Sequence, residues 1–222
     1  AVLSLQSAHT GNCTYHLPLG SPLEKAFLKA NDFFCCSGSS IEAFARLNSD
    51  IYFHNDSELW VNMYVPSTVT WNDKNISIEQ NGNFPADPFV ELAISTKKKS
   101  TFNLNLFIPQ GVKSVDVYIN GERYECNISP LSFLSINREW KNNDKIKLDF
   151  HFNFEIKTMP DDENVIAIFY GPILLAFETT SELILKGTHD EILKNISPAT
   201  NYTFHLSDNG KNYILRPLYN IE

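Results

Sequence analysis

The sequence predicts a mainly β protein, an antiparallel β-sandwich preceded by a short helical piece. Three observations carry this expectation. From Asp50 onward the apolar residues recur with a period of two, as they do on a half-buried strand. The apolar runs are short and evenly spaced, with Asn, Asp, Gly and Pro between them. Asn120-Gly121 splits two such runs, and that dipeptide is the strongest short hairpin signal a sequence offers.

Ala1 to Ala8 reads as the tail of a helix that Gly11 ends. Thr14 to Gly20 is an extended piece broken by Pro18 and Gly20, and Ser21 to Asp32 is a loop with room for a helical turn between Pro22 and Ala30. Ser39 and Glu42 have the S-x-x-E spacing of a capping box, which places a helix start there, one turn after the adjacent cysteines Cys35 and Cys36. Ile41, Phe44 and Ala45 would form its buried face. Strands are expected at 51–54, 59–65, 76–79, 89–95, 101–108, 115–119, 122–126, 132–137, 145–156, 165–169, 173–177, 202–206 and 213–215. Tyr170-Gly171-Pro172 reads as a kink or bulge between two of them. The one compositional seam lies near Asn48 to Asp50. The expected division is therefore 1–49, a helical fragment; 50–178, the sandwich; and 179–222, a C-terminal β extension packing on it.

Composition narrows the function classes. A chain of 222 residues with 43% hydrophobic and 13% aromatic content is globular. A formal net charge of −8 argues against nucleic acid as a partner, because phosphate binding needs a basic surface. The local run Lys97-Lys98-Lys99 reads as a solvated turn. No apolar stretch approaches the ~20 residues that span a bilayer, so no membrane partner is expected. No signal segment opens the chain and nothing names a compartment, so an extracytoplasmic or secreted location is compatible with it.

Four cysteines are too few for a disulfide scaffold of this size, and neighbouring Cys35 and Cys36 bridge each other only under severe strain. At a helix start, N–H groups and the positive dipole end favour thiolate, which is both a nucleophile and a soft metal ligand. The competing reading makes both thiols packing atoms. The six histidines show no H-E-x-x-H spacing. Asp161-Asp162-Glu163 follows Met159-Pro160 and reads as a solvated turn. Trp60, Trp71 and Trp140, with Tyr52 and Tyr64, would make a sugar-stacking platform if exposed and a core if not.

Several pieces in order carry a family resemblance. Phe34-Cys35-Cys36-Ser37-Gly38-Ser39 with Glu42, Ile51 to Asp56, Leu59 to Ser67, Leu134 to Trp140, Met159 to Asp162 and Phe169 to Ala176 are similar to the β-L-arabinofuranosidase-type glycoside hydrolases, family 127 and the domain of unknown function 1680. The segment Thr14 to Leu19 resembles the stretch before their cysteine pair. The resemblance implies a helical (α/α)6 barrel carrying the active site, followed by β-sandwich material, so that residues 1–49 would be a remnant of the barrel. It implies retaining hydrolysis by a zinc-bound cysteine with a glutamate acid/base. Cys35 matches the nucleophile and a zinc ligand, Cys36 a second zinc ligand, and Tyr15 a tyrosine near the substrate.

The departures define the rest of the expectation. The family's acid/base glutamate and its Glu-x-Cys ligand pair lie well upstream of the vicinal cysteines, and the 34 residues before Cys35 contain no Glu-x-Cys. The chain thus reads as the C-terminal part of such an enzyme, inactive alone, with zinc absent or weakly bound. Its substrate in the parent enzyme would be an arabinose-containing glycan. Apolar faces of residues 1–49 left open would promote self-association. The alternative is a non-catalytic carbohydrate-binding or structural sandwich module.

Overall fold

The computed structural model describes residues 6–7, 9–15, 25–29, 31–32, 34–177, 179, 182–200 and 202–221, and within the first helix only the backbone of Cys36, Ser37 and Ser40. The expected helix at 1–8 lies mostly outside these residues, and Gln6 forms an isolated antiparallel bridge with Cys13. Among the described residues two helices and sixteen strands form, and the protein is mainly β.

The chain divides into two compact units, 46–153 and 1–45 with 154–222. The first holds the sandwich. One sheet has the order β1 (Tyr52–His54), β2 (Glu58–Val61), β6 (Ser100–Ile108), β9 (Ser132–Trp140). The other runs β3 (Ser67–Trp71), β4 (Ile76–Asn81), β5 (Phe89–Thr96), β10 (Asp144–Phe152), β7 (Val112–Ile119), β8 (Glu122–Arg123). Every pair is antiparallel except β2 with β6, which is parallel because the chain visits the other sheet between them. The alternating residues of both sheets meet in one core that includes Leu59, Ile78, Leu92, Leu104, Ile136 and Ile146. Trp71, Phe102 and Trp140 line up in it at ring spacings of 5.5 and 5.7 Å.

The expected strand 59–65 stops at Val61. Asn62 and Met63 N–H turn to the Ile51 carbonyl, and the Gln80 amide donates to the carbonyls of Met63 (3.0 Å) and Val65 (2.6 Å). The Tyr64 hydroxyl, deep in the core, donates to the Phe107 carbonyl at 2.6 Å. β3 escaped the sequence pattern because its outward positions are threonines and its inward face, Ser67, Val69 and Trp71, has only two apolar residues. The Asn120-Gly121 expectation holds: both residues have positive φ, 54° and 86°, and Ile119 pairs with Glu122 around them.

The second unit carries a third sheet, in the order β11 (Phe154–Thr158), β12 (Ile166–Tyr170), β13 (Ile173–Phe177), β16 (Lys211–Pro217), β15 (Phe204–Asp208), β14 (Ile196–Pro198). The expected single strand 145–156 breaks at Asn153, so that β10 closes the sandwich and β11 opens this sheet. β13 pairs with β16, which joins 154–177 to the C-terminal strands across the expected division after residue 178. Gly171-Pro172 is a two-residue hairpin turn with Tyr170 opposite Ile173, not a bulge. A short helix α2 (His189–Lys194), absent from the sequence reading, places Ile192 in this sheet's core. Its capping box is Thr188 with Glu191.

The buried Asp144 carboxylate ties two hairpins of the sandwich together. It accepts from the Lys141 N–H (2.8 Å) and the Asn120 amide (2.8 Å). Asp144→Ala leaves those donors without partners and is expected to cost about 2–4 kcal/mol. Urea unfolding at neutral pH measures this; a loss below about 0.5 kcal/mol contradicts the assignment.

Candidate functional site

The first helix, α1, spans Cys35–Ile51 and so begins at the cysteines, not one turn after them. Ser39 does not cap it: its hydroxyl donates back to the Cys35 carbonyl at 3.4 Å, a bond made inside a helix. The consequence is chemical. Cys35 sits in the first turn, among N–H groups that have no helical acceptor, where partial positive charge favours a sulfur anion. Its side chain is exposed.

The segment before α1 brings Tyr15 to this turn. Ser7 nucleates a tight loop, with its N–H donating to the Asn12 carbonyl (2.8 Å) and its hydroxyl accepting from Thr10 N–H (3.0 Å). Thr14 then pairs with Phe27, and Leu28 N–H donates to the Cys13 carbonyl (2.9 Å). Residues 25–29 are therefore extended and not the helical turn expected there. Lys25 Nζ donates to the Ile221 carbonyl at 2.8 Å, so this segment is anchored to the far end of the chain. The result places the Tyr15 hydroxyl 3.9 Å from Cys35 Sγ, with the Tyr15 ring on Phe34 at 4.7 Å. Two candidates separated by 20 residues thus meet.

Cys36 follows in the same turn, and its side chain is outside the described residues. Zinc usually takes three or four protein ligands. Among the described residues no group of three or more His, Cys, Asp or Glu converges on one point. The described residues therefore do not by themselves complete a zinc site. No helix among them is long and apolar enough to cross a membrane.

The other sequence candidates separate cleanly. Trp71 and Trp140 are core residues, the latter donating from Nε1 to the Phe102 carbonyl at 3.1 Å. Tyr64 is core too, while Trp60 stands half-buried. The three-tryptophan platform is therefore not formed. Asp161-Asp162-Glu163 is an exposed hairpin turn between β11 and β12, with the Asp162 carboxylate accepting from Asn164 N–H at 2.9 Å. The Lys97–Lys99 run is the exposed β5–β6 turn.

One charged constellation was missed. On the outer face of β7, β8 and β10, Asp116 meets His151 Nε2 at 2.7 Å and Arg123 at 2.9 Å. The hydrogen bond to His151, then the Arg123 charge, holds the Asp116 carboxyl below its ordinary range. The Asn120-Gly121 hairpin fixes Arg123 opposite Tyr118, which puts it diagonal to Asp116; that pairing was readable. His151 was not, because the β7–β10 register is set by tertiary structure.

Helix-start placement predicts that Cys35 is alkylated faster than Cys126. Burial, then the Glu125 charge, raises the Cys126 thiol above its ordinary value, so less of it is thiolate at pH 7. Peptide mapping after a brief iodoacetamide pulse should label Cys35 at least about tenfold faster. Equal rates would remove the helix-start argument.

Residues 58–152 match the profile of the GH127 β-L-arabinofuranosidase middle domain. No curated protein matches the sequence significantly. Among solved structures, a glycoside hydrolase superposes over 99% of this chain with TM-score 0.71 at 17% identity. A GH127 β-L-arabinofuranosidase from Geobacillus stearothermophilus T6 superposes over 98% with TM-score 0.72 at 21% identity. A GH127 β-arabinofuranosidase gives 0.68 at 20% over 98%. The chain spans 41–44% of those proteins' own lengths. In sequence at residues 58–152, and in fold over nearly its whole length, the chain resembles a part of the β-L-arabinofuranosidase-type glycoside hydrolases of family 127.

Proposed function

We propose that Cys35 is the nucleophile of a retaining glycosidase acting on L-arabinofuranosyl linkages, and that this chain supplies only part of the active site. The observation that carries the reading is the meeting of the Tyr15 hydroxyl and Cys35 Sγ in the first turn of α1. In the reaction the Cys35 thiolate bonds to the anomeric carbon as the glycosidic C–O bond breaks, and the leaving oxygen takes a proton from a general acid. Water then adds at the same carbon, the C–S bond breaks, and the acid's conjugate base takes the water's proton. Two inversions retain the anomeric configuration. In this reading the Tyr15 hydroxyl, 3.9 Å from the sulfur, donates to the thiolate and faces the sugar.

No residue of this chain is assigned the acid's role, so the chain alone is inactive. Cys35 and Cys36 offer two sulfur ligands where zinc needs one or two more, so zinc binds weakly or not at all. The expected results are zinc well below one equivalent by elemental analysis and no release of chromophore from an aryl β-L-arabinofuranoside at neutral pH. Hydrolysis that disappears in Cys35→Ser would instead make this chain a complete enzyme. The nucleophile has its own test. A haloacetamide carrying L-arabinofuranose should label Cys35 faster than the same reagent carrying glucose, and Tyr15→Phe should narrow the difference. Equal labelling by both sugars would sink the assignment.

Phe34, Ile41 and Phe44 are exposed on and beside α1, at 43%, 64% and 43%. Apolar groups of this size left open favour association with a second copy. Light scattering should show concentration-dependent oligomers that Ile41→Glu disperses. A monodisperse monomer at high concentration contradicts this reading.

A further inference from the structure

The four-stranded sheet of the sandwich has an outer face whose chemistry the preceding sections leave unused. Phe53, Trp60, Asn105 and Ser135 stand in one row across β1, β2, β6 and β9. Their neighbours Leu59, Leu104, Leu106, Leu134 and Ile136 point into the core, so by the two-residue period this row points out. One step along β6 and β9, Phe107 lies opposite Phe133 with rings 5.4 Å apart. Phe53 and Phe133 are exposed, and Trp60 and Phe107 half-buried.

The uncharged polar members of this face are the amides of Asn103, Asn105 and Asn137 and the hydroxyls of Thr101 and Ser135. Its outward positions carry no Lys, Arg or His, and its acidic groups, Glu58 and Glu139, are engaged by Asn103 Nδ2 (2.8 Å) and Lys99 (3.3 Å). Such a surface has nothing to offer a phosphate or carboxylate ligand. It does offer apolar ring faces beside neutral hydrogen-bonding groups, the mixture that orients an uncharged polyhydroxylated molecule.

Asn105 sharpens the argument. It is 5% exposed, its Oδ1 accepts from the Ser135 hydroxyl at 2.7 Å, and its Nδ2 has no hydrogen-bond partner. Since Ser135 belongs to the outward row, the amide lies on that side of the sheet. A buried donor left unpaired costs about 1–3 kcal/mol. Nδ2 is enclosed in the unliganded chain, and an acceptor such as a sugar hydroxyl that reached it on binding would recover part of that cost.

We infer that this sheet face is a second carbohydrate-contact surface for a neutral oligosaccharide, separate from the Cys35 site. It rests on the proposed glycosidase reading only for the choice of sugar. The test uses the full chain as Cys35→Ser, with soluble arabinan and an arabino-oligosaccharide as probes and tryptophan emission as the readout. Trp71 and Trp140 are buried, so Trp60 is the reporter. The expected result is a saturable emission change that Trp60→Phe abolishes and that Phe53→Ala and Phe133→Ala each weaken about tenfold. Tyr15→Phe leaves it unchanged. Saturation-transfer NMR on the unmodified chain, showing sugar protons against aromatic rings, gives the same answer if a variant fails to fold.

Binding that survives both phenylalanine changes, or that Tyr15→Phe abolishes, overturns the inference and returns the sugar to the Cys35 site. Absence of binding at millimolar oligosaccharide also overturns it. So does concentration-dependent association that Phe133→Ala disperses, which would make the face a protein interface. Failure of the nucleophile test leaves this result standing, because the two surfaces share no residue.

Discussion

The sandwich depends on how the chain crosses from one sheet to the other between Val61 and Ser67. Backbone taken out of a ladder inside a core must find other partners, or each orphaned group costs as much as a lost hydrogen bond. Gln80, almost fully buried, supplies those partners from β4 by giving its amide protons to Met63 and Val65. Tyr64 is fixed at the same crossing by its bond to Phe107, and Ser67 by its bond to the Val65 carbonyl. With the crossing secured, β3 starts in register on β4, and β6 is free to return beside β2 in parallel.

Much of this fold was legible because one face of most strands is buried. Phe102-Asn103-Leu104-Asn105-Leu106 alternates cleanly, and its even-numbered residues lie in the core. The hairpin at Asn120-Gly121 announced itself, and Asn209-Gly210 repeats its two positive-φ residues. What failed had a physical cause in each case. The strand at 59–65 was cut short by tertiary hydrogen bonds that no local pattern encodes. β14 is three residues long and ends at Pro198, too brief to show a period.

The helical parts show how a correct rule can be applied at the wrong address. The S-x-x-E spacing at Ser39 and Glu42 lies inside α1, whereas the T-x-x-E at Thr188 and Glu191 makes a full reciprocal cap. Spacing alone does not distinguish them; the residue preceding the motif must be free to leave helical geometry. For the candidate site the error had a useful outcome. A helix that begins four residues earlier moves Cys35 into the first turn. The family resemblance singled out Tyr15 only as a tyrosine near the substrate; its place beside Cys35 comes from the fold, since nothing in the periodicity of residues 1–34 relates the two.

The unit that holds Cys35 is discontinuous: its two stretches, 1–45 and 154–222, flank a sandwich that has its own core. A nascent polypeptide leaving the ribosome can bury residues 46–153 before the strands of the third sheet exist. Residues 1–45 must wait, and the Lys25–Ile221 tie closes only after residue 221 has been made. Cys35 is therefore made before the sandwich but acquires its final surroundings after it.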